Sequence, residues 1–87
     1  MEPNNREALR EYGGLYFNFC QYQEALSKWK ILISLEKKTE YYVLCAYAFS
    51  GMGQKTEKEK YCRLGLECPD DHDGWRERLL ELLGPDT

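Results

Sequence analysis

No apolar run in this sequence is long enough to cross a membrane: the longest, Tyr41 to Phe49, falls far short of the roughly 20 residues a spanning helix needs. The N-terminus, Met1-Glu2-Pro3-Asn4-Asn5, has neither a basic nor an apolar segment, so nothing marks it for general secretion and the cytosol is the expected compartment. A basic surplus is missing too. The net charge is -3, the pI is about 5.2, and Lys28, Lys30, Lys37, Lys38, Lys55, Lys58 and Lys60 are scattered among glutamates, which argues against nucleic acid as the main partner. The sequence has no glycine-rich phosphate loop and no nucleophile elbow. Its four cysteines include no close C-x-x-C pair, and the best zinc set, Cys45, Cys62, Cys68 and His72, has spacings that match no common site. With no export signal they read as reduced thiols, mostly small core residues, and no metal or other cofactor is implied.

The one histidine, His72, sits among Asp70, Asp71 and Asp73, and a histidine beside carboxylates has the makings of a general base. Asp70-Asp71-His72-Asp73-Gly74 reads more simply as a solvated loop that caps a helix. A chain this short can hardly build a pocket around a cysteine and a histidine, so an enzyme is not expected. A redox switch through Cys62 or Cys68 is a more modest alternative.

What is present is material for one small helical domain spanning 1–87. In 87 residues weighing 10.3 kDa, 43% are hydrophobic, 31% charged and 14% aromatic, too rich in core-formers for disorder. A chain of this size buries only about 60% of its unfolded surface, and its core supplies no more than roughly 3–5 kcal/mol, which leaves room for a partner to add stability.

Asn4 or Asn5 can cap a first helix in which Leu9, Tyr12, Gly13, Tyr16 and Cys20 recur at three- and four-residue steps. A second periodic set runs from Tyr22 through Ala25, Leu26, Trp29, Leu32 and Leu35 to Glu36-Lys37-Lys38, whose lysines suit a helix C-terminus. Thr39 is a plausible N-cap for a third helix with Tyr42, Cys45, Ala46 and Phe49, interrupted at Ser50-Gly51-Met52-Gly53. A fourth helix is expected from Gln54 to Glu67, ahead of Pro69. Asp70, Asp71 and Asp73 offer caps for a last helix, about 72–83, carrying Trp75, Leu79 and Leu82. No strand signal competes. Helical spacing alone predicts burial for Tyr12, Tyr16, Trp29 and Phe49.

Shifting the sequence by 33 residues lays Leu9 on Tyr42, Tyr12 on Cys45, Gly13 on Ala46, Tyr16 on Phe49, Cys20 on Gly53 and Trp29 on Cys62. Large residues meet large ones in the first helix of each pair, and small meet small where helices approach closely. This is a helix-turn-helix repeat. Leu9, Gly13, Tyr16, Cys20, Tyr22, Ala25 and Trp29 follow the order of the tetratricopeptide repeat (TPR), and Cys20-Gln21-Tyr22-Gln23-Glu24-Ala25-Leu26 is its most characteristic stretch. The chain therefore resembles that family. The likeness implies an all-α fold of TPR-like helical hairpins, about five antiparallel helices in a short right-handed solenoid. Repeat one would span about 5–38, repeat two about 39–69, and a capping helix about 72–83. Lys55 and Lys58 stand where the second repeat should have tyrosine and alanine, so the fourth helix is expected to pack loosely or elsewhere.

In such repeats the first helix of each pair lines a concave groove, and the resemblance places Arg10, Gly14 and Phe17, then Val43, Tyr47 and Ser50, on that surface. Gly14 and Leu44 occupy the positions where chaperone-tail binders of the family carry asparagines, which argues against a carboxylate clamp. Phe17, Val43 and Tyr47 suit the apolar face of a client helix; alternatively, the chain's own last helix fills the groove. The length, the Val43-Leu44-Cys45-Ala46-Tyr47 stretch and the closing Trp75-to-Leu83 helix look most like the small TPR chaperones of bacterial type III secretion, of the needle-subunit type. The first repeat through Gly53 is also similar to the translocator chaperones. That likeness implies a non-enzymatic chaperone holding an amphipathic helix of a secreted client in the bacterial cytosol, together with a small helical co-chaperone that caps an apolar end of the array. Leu15 and Phe19, off the main stripe of the first helix, are the candidate co-chaperone contacts, ordinary packing on the second helix being the other reading. A general TPR adaptor for a peptide or helix would show much the same pattern. The opening methionine and the closing Gly84-Pro85-Asp86-Thr87 suit a complete short gene.

Overall fold

A computed structural model describes residues 5–68 and 74–84. They form five α-helices, α1 (Arg6–Asn18), α2 (Tyr22–Leu35), α3 (Thr39–Gly51), α4 (Lys55–Leu66) and α5 (Trp75–Leu83), with no strand among the described residues. The fold is all-α. Each helix packs along the next in sequence, and α5 also returns onto α3. The result is an elongated body of 44 × 28 × 18 Å.

The helix ends follow local chemistry. Asn5 caps α1, its side-chain oxygen accepting a hydrogen bond from the Ala8 N–H at 3.0 Å, while Asn4 lies outside the described residues. After Asn18 the chain turns through Cys20, which holds a left-handed conformation at φ 61°. The start of α3 differs from expectation: Thr39 is the first helical residue and buried, and the cap position is Lys38 in extended backbone. Lys37 and Lys38 thus lie in the link to α3, beyond the last turn of α2. Gly74 occupies the cap position of α5; Asp70, Asp71 and Asp73, expected to cap it, lie outside the described residues, as does His72.

Two apolar clusters hold the body together. The first joins Leu9 of α1 and Ala25, Leu26, Trp29 and Leu32 of α2 to Cys45, Ala48 and Phe49 of α3. Trp29 is its centre: its indole lies so close over α1 that a methyl group at Gly13 would overlap it, and its Nε1–H donates to the Arg10 carbonyl at 3.4 Å. The second cluster joins Val43 and Ala46 of α3 to Cys62 of α4 and Leu79 of α5. Gly65 repeats the device there, since a side chain at that position would meet Leu79 and Tyr42.

Helix α3 belongs to both clusters and is buried on nearly every side, as an all-round apolar helix must be. Helix α4 packs along α3 rather than loosely. Its lysines sit in the N-terminal half, while Tyr61 in the C-terminal half packs on Phe49 and Tyr42 at centroid distances of 5.0 and 6.2 Å. Trp29 and Phe49 are buried as predicted and Tyr16 is partly so, but Tyr12 is 40% exposed. Tyr12 lies on the side of α1 that turns away from α2, so the helical period that it shares with Leu9 and Tyr16 overstates the width of the buried stripe.

Candidate functional site

Of the six residues expected to line one groove, Phe17 packs on the first cluster and Val43 and Tyr47 belong to the second, while Arg10, Gly14 and Ser50 join neither. The Phe17 ring lies edge-on to Tyr22 at 5.2 Å and tilted against Trp29 at 5.8 Å. Val43 is a core residue of the second and Tyr47 packs against it, beside Trp75, Leu82 and Leu83 of α5. Val43 has no exposed surface, so it cannot contact a client helix. The physical reason is that α5 returns onto α3 and brings Leu79 into the same cluster.

The remaining positions make a polar strip. Arg10 donates to the Glu40 carboxylate at 3.0 Å, and one turn earlier Arg6 pairs with Glu36 at 3.2 Å. These pairs tie α1 to the end of α2 and the start of α3. Gly14 faces open space, with nothing within 4 Å of where its Cβ would be, and Ser50 is exposed.

An exposed apolar stripe lies on the far side of α1. Tyr12 (40% exposed), Leu15 (56%) and Phe19 (73%) follow one another at three- and four-residue steps and so share one face of the helix. Among the described helices, α1 packs extensively only with α2. Leu15 and Phe19 therefore stand out from the hairpin rather than packing within it. Tyr12, taken as core from its spacing, joins them, and the signal that could have revealed it was already present: Tyr12, Leu15 and Phe19 form their own i, i+3, i+7 set.

The thiols divide in the same way. Cys45, Cys62 and Cys68 are buried, in line with thiols that are mostly core, whereas Cys20 is exposed at the α1–α2 turn. Burial pushes the Cys45 thiol up to about 12, only partly countered by the nearby Lys30 ammonium, and raises Cys62 as well. Such thiols stay protonated and unreactive at neutral pH. Among the described residues no cluster of histidine, cysteine and carboxylate groups could hold a metal, and no helix is long and apolar enough to cross a membrane. Among the described residues, α1 thus carries an exposed apolar stripe on the side away from Arg10 and Gly14. No protein-family model matches the chain, and no curated protein matches it significantly.

Proposed function

We propose that the chain is a non-enzymatic protein-binding module that holds a helix of another protein, and that its five helices act as a short TPR-like solenoid. The observation that carries this reading is the open stripe of Tyr12, Leu15 and Phe19 on a helix with one extensive neighbour. Large apolar side chains set in line on a helix are the usual anchors for helix-on-helix binding. The 33-residue internal repeat and the TPR-like motif of α1 and α2 support the solenoid.

The likeness to needle-subunit chaperones of type III secretion supplies the finer form of the proposal. A small helical co-chaperone covers the end of the array at Leu15 and Phe19, and the pair keeps a polymerisation-prone client helix apart from its own kind in the bacterial cytosol. The burial of Val43 in one cluster with Leu79 of α5 supports a second reading, a general adaptor with a single docking face on α1.

Co-expression of the chain with small helical proteins encoded beside it, followed by size-exclusion chromatography with light scattering, tests both. The chaperone reading expects a soluble complex of defined stoichiometry, released by Phe19→Glu while the helical circular dichroism is unchanged. A complex that survives Phe19→Glu and Leu15→Glu would remove α1 as the docking face.

A further inference from the structure

We infer that the open face of α1 receives a partner helix whose apolar anchors are flanked by lysine or arginine, seated on α1 as α2 is seated on α3. The inference rests on α1 being the docking face and adds the chemistry of what docks there.

The internal repeat supplies the template. The 33-residue shift lays Tyr12 on Cys45, Leu15 on Ala48 and Phe19 on Met52. In α3 this face is covered: Cys45 and Ala48 are fully buried in one cluster with Leu26, Trp29 and Leu32 of α2, and Met52 packs against it. What covers it is a helix, and that helix brings a lysine, Lys30, whose ammonium lies 5.7 Å from the centre of the Phe49 ring. The same face of α1 carries bulkier side chains and has no such cover. The occupant in register with the repeat is a helix in the place that α2 takes on α3.

Charge then separates a foreign helix from a second copy. Glu11 lies four residues before Leu15, and Glu7 four before Glu11; both are exposed and border one side of the stripe. The arginines of α1 do not balance them, because Arg6 and Arg10 are turned to Glu36 and Glu40. Among the described residues of α1, that side of the stripe is therefore acidic. Two copies meeting through α1 would bring their carboxylates together with no spare guanidinium. Three partly exposed side chains also offer on the order of 300–400 Å² per copy, against the roughly 1,200–2,000 Å² in total that a stable dimer buries. A helix with basic flanks meets the acidic rim and brings its own apolar area.

The test uses the full chain and two designed helical peptides with an identical leucine and alanine stripe, one flanked by lysines and one by glutamates, with affinity read by fluorescence anisotropy. The lysine peptide should bind about tenfold more tightly at low ionic strength, the gap should shrink with added salt, and Glu7→Lys with Glu11→Lys should invert the preference. If both peptides bind alike and Leu15→Glu releases both, the docking face stands and the basic partner is overturned. If neither peptide binds, or binding survives both Leu15→Glu and Phe19→Ser, the docking face falls and the inference with it. A homodimer by light scattering that Leu15→Glu dissociates would assign the face to a second copy and overturn the basic partner. Circular dichroism of each variant confirms that it is folded.

Discussion

The two hairpins share a motif but differ in what surrounds them. In α3 the small residues Cys45 and Ala48 lie fully buried beneath a neighbouring helix, and Val43 on another side is sealed under α5. In α1 the corresponding places hold Tyr12 and Leu15, both exposed, beside Gly14 in open space. Neighbours decide burial: among the described helices α3 packs against α2, α4 and α5, whereas α1 packs extensively only with α2. Bulk at Cys45 or Ala48 would have to be accommodated by the core, whereas at Tyr12 and Leu15 it stays exposed.

The sharpest way to break this comparison is to truncate a leucine from each region. Leu79→Ala, which empties the fully buried cluster beneath α5, should cost about 2–5 kcal/mol in urea unfolding, close to the whole stability of so small a domain. Leu15→Ala should stay within about 0.5 kcal/mol. A comparable loss at both positions would mean that α1 is covered in solution.

Alkaline pH should act on the buried thiols and phenols of α3 and α4. Burial raises Cys45, Cys62, Tyr42 and Tyr61 above their ordinary values, so the stability that their neutral forms contribute is complete below the unfolded-state values. For Cys45 it is lost as pH rises from the ordinary thiol value of 9.0 toward about 12. The melting temperature should therefore fall over that range, and Cys45→Ala should flatten part of the fall. Thiol labelling at neutral pH gives a companion contrast: Cys20 should react promptly, and Cys45 only on unfolding. A similarly small effect belongs to the strip between the regions, where Arg10→Gln should cost under about 1 kcal/mol, because the Arg10–Glu40 pair is partly exposed.

The helices themselves were legible in the sequence because their periodicity is strong, and Asn5, Trp29 and Phe49 fall where spacing and capping chemistry put them. The candidate groove was not, since periodicity identifies a face without saying which later segment comes to rest on it. Val43 illustrates this: nothing local reveals that α5 folds back upon it. Tyr12 shows the converse. It shares a helical period with Leu9 yet lies at the margin of the buried stripe and is 40% exposed. The packing of α4 could not be weighed from Lys55 and Lys58, because Tyr61 and Cys62 at its other end decide it.

The ion pairs Arg6–Glu36 and Arg10–Glu40 share one sequence offset, and their acceptors lie on either side of the short link between α2 and α3. Helix α1 is thus a splint across that joint, fastened to both of its limbs. A single residue inserted between Glu36 and Glu40 would put the two fastenings out of register, although neither helix need change. A partner that tilts α1 must break both fastenings or carry the joint with it, which gives the first helix a mechanical line to the third that bypasses the second.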